Sequence, residues 1–251
     1  MSSKIVLITG ANSGVGYATT SVIARASENF HVILACRDLA KADKAAAEIT
    51  AAGIKGKLST VQLQVTDEDS IQKAAAWVEE RFGRLDVLIN NAAVGVGRAQ
   101  NDKDRFLGTM ETNVVGPYLV SEAFRPLLLK SEKPPYSIYV SSGQGSLSIA
   151  SSVPKHPFEP PKAEPYRASK AALNMVMVLD SRDNRDKGIK VFGMCPGFVV
   201  SNLRGTTDEA RTGRGMAGDP EVSANVLLRI IEGERDADEG RVVHKDGVHP
   251  W

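Results

Sequence analysis

The sequence predicts a single doubly wound α/β domain over residues 1–251, a parallel sheet of about seven strands flanked by helices. Three observations carry that expectation. Short β-branched runs alternate with segments of helical periodicity along the whole chain. A glycine-rich turn joins the first run to the first helical pattern. The length of 251 residues, 42% of them hydrophobic, suffices for one sizeable core.

The strands are expected at Ile5–Thr9, Val32–Cys36, Val61–Val65, Val87–Asn90, Ser137–Ser141, Val191–Cys195 and Arg241–His244. After Gly16, the residues Ala18, Val22, Ile23 and Ala26 repeat at helical spacing. Ile71, Ala74, Ala75 and Val78 do the same in a helix that Asp67 is placed to cap. A long helix begins near Asp104 and continues past Asn113, and another carries Tyr166 with the stripe Ala172, Leu173, Val176 and Leu179. Two stretches break the rhythm and read as loops: Leu147–Pro165 with five prolines, and Leu203–Pro220 with Gly205, Gly213, Gly215 and Gly218. Both follow strands whose carboxyl ends face the ligand in such folds. The proline-rich stretch Val153–Pro165 reads as a fixed wall, and Leu203–Pro220 as a mobile lid.

Thirty-one basic residues against thirty acidic ones leave a net charge of +1, which supplies no field to attract nucleic acid or anionic lipid. Cys36 and Cys195 are too few for a disulfide framework and suit a reducing, cytoplasmic setting. The apolar run at Ile5–Ile8 is too short for a signal peptide, and no stretch is long enough to span a bilayer. The expected partner is a small molecule, and no metal is expected.

Chemistry concentrates in a few motifs. Thr9-Gly10-Ala11-Asn12-Ser13-Gly14-Val15-Gly16 stands between strand and helix, where glycines let the backbone approach a pyrophosphate held at the helix N-terminus. Thr19 occupies the third glycine position of the G-x-G-x-x-G form. Tyr166 and Lys170 lie one helical turn apart, so an ammonium there favours the phenolate and lowers the Tyr166 pKa. Of the adjacent Ser141 and Ser142, only one points at a substrate, because neighbouring strand residues face opposite sides.

Taken together with Asn90-Asn91-Ala92-Ala93, Asn113, Ser142, Tyr166-Arg167-Ala168-Ser169-Lys170 and Pro196-Gly197, in this order, the chain resembles the short-chain dehydrogenases/reductases. The resemblance implies a Rossmann-type domain and a catalytic set of Asn113, Ser142, Tyr166 and Lys170. Ser142 positions the substrate oxygen, and Gly145 follows at the usual distance. Tyr166 is the acid/base, Lys170 tunes it and holds the nicotinamide ribose, and Asn113 holds a relay water. The cofactor is expected on Gly10, Asn12, Ser13, Gly14, Val15, Gly16, Arg37, Gln64, Val65, Asn91, Tyr166, Lys170, Val199 and Ser201.

The preference is expected to be NADP(H). Cys36 occupies the position where NAD-using members place an acidic residue, and Arg37 beside it suits a 2′-phosphate. The bland alternative is an Arg37–Asp38 pair. Several residues depart from the family pattern. Gln64 replaces an aspartate but keeps an acceptor for adenine, Ala93 replaces a glycine, Phe192 an asparagine and Ser201 a threonine. The Ser142–Tyr166 spacing exceeds the common one, as in carbonyl-reductase-like members. The implied function is NADP(H)-dependent interconversion of a ketone or aldehyde and an alcohol by a monomer or homodimer. The rivals are a non-catalytic NADP-binding regulator and a same-fold biosynthetic enzyme of another reaction.

Overall fold

The structure is a computed structural model that describes residues 3–95, 99, 101–152 and 162–251. In chain order it forms β1 (Lys4–Thr9), α1 (Gly14–Ala26), β2 (Phe30–Cys36), α2 (Leu39–Ala51), β3 (Lys57–Gln62), α3 (Glu68–Phe82) and β4 (Val87–Asn90). There follow α4 (Asp102–Met110), α5 (Gly116–Leu128), β5 (Tyr136–Val140), α6 (Leu147–Ser152), α7 (Glu164–Asn184) and β6 (Lys190–Met194). The chain ends with α8 (Asp208–Arg211), α9 (Pro220–Ile231), β7 (Val242–His244) and β8 (Gly247–Val248).

The sheet order is β3-β2-β1-β4-β5-β6-β7-β8, parallel as far as β7. The chain winds outward from β1 in one direction and from β4 in the other, which opens a crevice at the carboxyl ends of these two strands. Among the described residues eight strands stand where about seven were expected; the eighth is a two-residue antiparallel return, too short to show in a pattern.

Alternation within each strand distributes the apolar side chains to both faces. Ile5, Leu7 and Ile33 join Phe124 of α5 and Leu173 and Met177 of α7 in one core layer. Val6, Ile8, Val32 and Leu34 join Leu227 and Ile230 of α9 in the other. Burial on both faces is why β1 and β2 read as unbroken apolar runs.

Three boundaries differ from expectation. β3 is an edge strand at Lys57–Gln62, earlier than Val61–Val65, because it carries the polar, partly exposed Ser59, Thr60 and Gln62 in place of an apolar run. Gln64 and Val65 therefore lie beyond its end. The long helix starts at Asp102, capped by Asn101, and widens into a π turn at Glu111–Val115 before α5. The expected loops contain structure: α6 opens Leu147–Pro165, and Leu203–Pro220 holds α8 and a bridge between Val199 and Gly218. The wall expected of Val153–Pro165 falls largely on residues 153–161, outside the described residues. Asp67 caps α3 as expected, accepting from Ser70 N.

A polar network locks α5 and α7 to β5. Tyr139 OH donates to Asp180 Oδ2 at 2.8 Å and is bonded to Ser121 Oγ at 2.8 Å, which also accepts from Asn90 Nδ2. Asp180 Oδ1 accepts from Arg125 at 2.7 Å and Asn184 at 2.8 Å, with the Asp180 side chain only 7% exposed. Removing this carboxylate takes the partner from Tyr139 OH and Asn184 and leaves Arg125 only its pair with the exposed Glu122. We expect Asp180→Ala to lower unfolding free energy by about 3–5 kcal/mol in urea titrations; a loss below about 1 kcal/mol would place the network among surface-strength pairs.

Candidate active site

The crevice is built first by the turn after β1. Gly10 and Gly14 take positive φ of 66° and 55°, a region that favours residues without Cβ. Gly16 makes the tightest approach: a Cβ there would lie 2.6 Å from both Gly10 O and Asn91 Nδ2. Asn91 stands behind the turn, its Nδ2 donating to Thr9 O and Gly10 O, so it serves as a buttress. Ser13 caps α1 through its backbone position while its hydroxyl makes no cap bond, and the first turn of α1 carries no acidic residue. Asn12, Ser13 and Gly14 are half-buried at the mouth, whereas Val15 and Gly16 are buried below it. This leaves α1 with an N-terminus open to an anion.

Cys36 sits under the same turn, its sulfur accepting from the backbone N–H groups of Ala11 and Asn12. Burial pushes its thiol up to about 11. Arg37 is exposed at the end of β2, and no carboxylate among the described residues pairs with it. Asp38 instead caps α2 by accepting from Lys41 N and pairs with Lys41 Nζ at 3.4 Å. Gln64 Nε2 donates to Thr66 Oγ1, which leaves Oε1 as the acceptor, and Val65 packs on Gly116, whose Cβ would lie 3.0 Å from it.

Across the crevice, Ser141 and Ser142 follow β5 and part ways. Ser141 is 2% exposed, with Oγ donating to Asn174 Oδ1. Ser142 lines a cleft of about 1220 Å³, where Oγ accepts from Gln144 N at 3.2 Å. Tyr166 and Lys170 emerge from the first turns of α7, which Pro165 opens. Lys170 Nζ lies 5.7 Å from the Tyr166 ring centroid and donates to Val140 O at 2.8 Å.

The lowering of Tyr166 expected from Lys170 is not what this arrangement shows. Burial raises the phenol well above its ordinary value, the Cys195 sulfur adds to the rise, and the Ser142 hydroxyl and Arg204 guanidinium pull it back. Burial also pushes Lys170 down to about 8. Desolvation outweighs the pair's mutual attraction because neither charge is well hydrated here.

Asn113 lies in the π turn, fully buried. Its Oδ1 accepts from Val94 N, and its Nδ2 donates to Val94 O and Ser169 Oγ. Both amide hydrogens thus tie the segment after β4 to α7. π turns recur at functional positions.

The segment after β6 closes over the turn. Ser201 meets Gly14, whose Cβ would lie 3.2 Å from Ser201 Cβ, and Val199 O accepts from Arg204 Nη2 at 2.8 Å. Arg204 also donates to Ala210 O and Arg211 O and covers the Phe198 ring at 4.4 Å. The segment therefore carries restraints that its glycines do not suggest. Cys195, whose Sγ accepts from Gly143 N at 3.1 Å, and the pair His244 and His249 also line the cleft. Sequence reasoning did not find these; the histidines lie in a tail whose spacing matches no motif. Among the described residues no cluster suits a metal ion, and no helix is long and apolar enough to cross a membrane.

A family model described as short chain dehydrogenase matches residues 4–212. The chain is 32% identical to "Short-chain dehydrogenase/reductase tropE" of Talaromyces stipitatus, over 99% of this chain and 98% of that protein. It is 29% identical to "3-oxoacyl-[acyl-carrier-protein] reductase FabG" of Thermotoga maritima, over 98% of each. An NADPH-bound carbonyl reductase from chicken fatty liver superposes with a TM-score of 0.82, at 29% identity over the full length of both chains.

Lys170 supplies a test of the site's dryness. Below about pH 8 it is protonated in folded and unfolded chains alike, and its burial counts against the fold. Between pH 8 and 10.5 the folded chain releases the proton first, so stability from this group rises with pH. The stability difference between wild type and Lys170→Met should therefore climb in the wild type's favour by a few kcal/mol from pH 7 to 10.5, read by denaturant titration. A flat difference would show a hydrated ammonium.

Proposed function

The chain belongs to the short-chain dehydrogenase family of oxidoreductases, and on that premise we propose that it interconverts a ketone or aldehyde and an alcohol with NADP(H), as a reductase of a small organic carbonyl compound. The observation that carries this reading is the convergence of three side chains: Ser142 lines the cleft and hydrogen-bonds Tyr166, and Lys170 Nζ lies 5.7 Å from the Tyr166 ring centroid. The residues fit a dinucleotide: the positive-φ glycines and the open end of α1 would hold the pyrophosphate, and Gln64 Oε1 would accept from the adenine. The exposed Arg37 supports NADP(H) over NAD(H), since a guanidinium with no carboxylate partner among the described residues is available to a 2′-phosphate.

When bound, the reduced nicotinamide supplies the hydride. Tyr166 OH donates a proton to the carbonyl oxygen and recovers one from the Lys170 side. Ser142 Oγ holds that oxygen, and its hydrogen bond to Tyr166 favours the phenolate. A phenol raised by burial is a poor proton donor at neutral pH in isolation, so the charges around it matter. The Ser142 hydroxyl and the Arg204 guanidinium pull it down, and Lys170 Nζ stands 5.7 Å from its ring. Asn113 holds the relay water.

A cytoplasmic setting fits the two buried free cysteines. Phe106, Leu107, Tyr118 and Met175 expose apolar area on α4, α5 and α7, which suits a monomer or at most a dimer paired through these helices.

Two variants test the reading. Tyr166→Phe should cut kcat by about a hundredfold or more with NADPH affinity retained, measured on a panel of ketones; retention of more than about a tenth of kcat would remove Tyr166 as the acid. Arg37→Ala should weaken NADPH binding by about 2–3 kcal/mol in calorimetry and leave NADH nearly unaffected. Equal losses for the two would make Arg37 structural.

A further inference from the structure

The carboxyl-terminal tail brings an imidazole to the residue next to Ser142. β7 turns through Lys245 and Asp246 into β8, pairing His244 with Gly247. His249 N then donates to Val242 O at 2.9 Å, and Trp251 O accepts from Ser148 N at 2.6 Å, so the tail is pinned on both sides of the His249 ring. The imidazoles of His244 and His249 stack with centroids 4.2 Å apart and planes 19° from parallel. His249 rests on Gly143, where a Cβ would lie 3.0 Å from both Cε1 and Nε2. A side chain at the residue after Ser142 would press on the ring, so glycine there favours this place for it.

His244 Nδ1 accepts from Asp246 N. The nitrogens of the His249 ring have no hydrogen-bond partner among the described residues, and the ring lines the cleft together with Ser142 and Cys195. Burial, and then the charge of His244, hold its pKa below the ordinary histidine value. A neutral imidazole offers one N–H and one lone pair, and so can bond either a carbonyl or a hydroxyl. Phe198, Met216, Val222 and Ile149 give a carbon skeleton apolar contact, and the lining also carries polar side chains such as Gln144 and Arg167; His249 is the one of these that rests on the residue next to Ser142.

Resting on the carbonyl–alcohol reading above, we propose that His249 is a substrate-recognition residue. It hydrogen-bonds a second oxygen close to the reacting carbonyl, and it makes the enzyme prefer β-oxygenated carbonyl compounds to plain ketones. Adjacent Cα atoms stand about 3.8 Å apart, so an imidazole seated on Gly143 is one residue's step from the Ser142 hydroxyl. From there it meets an oxygen on a nearby carbon and not one at the far end of a long substrate. A site built around such a bond discriminates against the analogue lacking it, because the ring is then left unpaired.

The test compares benzoylacetone with butyrophenone, which share a phenyl ketone and differ in the second oxygen. Intrinsic reactivity cancels when the ratio of their kcat/KM values in wild type is divided by that in a variant. His249→Phe keeps a ring on Gly143 and removes the nitrogens; the ratio should fall at least fivefold, mainly through KM for benzoylacetone. His249→Gln, which keeps a donor, should retain more of the ratio than His249→Phe. A fall of less than fivefold in His249→Phe overturns the proposal. Calorimetric binding of the two ketones to the wild-type protein with NADP+ covers the case where the variant does not fold or wild type reduces neither ketone. Absence of turnover counts against the proposed function, whereas a binding preference under fivefold for benzoylacetone counts against His249 recognition alone.

Discussion

The close approach of α1 to the end of β1 is the contact from which the rest of the site is hung. Gly16 lies against Gly10 O and the Asn91 amide, with no space for even one added carbon. Asn91 belongs to the segment after β4, so this contact joins the two central strands at the point where the sheet's winding reverses. The N–H groups at the head of α1 are thereby aimed into the crevice. Ser201 closes on Gly14 from the other side, and Cys36 supports the turn from below. A larger residue at Gly16 would separate α1 from β4 and change all three relations together.

The opposite wall is governed by the cost of burying charge. Lys170 is 2% exposed and has one carbonyl partner, Val140 O, which accounts for its depressed pKa. Tyr166 is shifted the other way by the same desolvation. The two shifts run in opposite directions, each toward the neutral form, so burial moves the proton affinities of the pair apart. Deeper in the domain, the Asp180 carboxylate meets the same cost differently, with Arg125, Asn184 and Tyr139 bonded to it. One network stiffens the helices that carry the site, while the other leaves a buried titratable pair within it.

Much of this was legible in the linear order of residues because strand and helix periodicity are local properties. The alternation of apolar runs, the glycine turn, the Asp67 cap and the one-turn spacing of Tyr166 and Lys170 all depend on near neighbours in the chain. The edge strand β3 was misplaced because one half-exposed strand carries little hydrophobic signal. The π turn at Asn113 was missed because helical spacing on either side of it is nearly regular.

The sequence by itself therefore determined the doubly wound class, the location of the glycine turn and the identities of the residues expected to act. Those features are set by chain-local backbone preference and by residue chemistry. Only the tertiary structure decided that Ser141 is bound to Asn174, that Asn113 commits both amide hydrogens to the fold, and that Asp38 is taken up by Lys41 and not by Arg37. It alone brought His249 onto Gly143, across more than a hundred residues of chain. Such contacts arise from packing between elements distant in sequence, and no periodicity within either element encodes them.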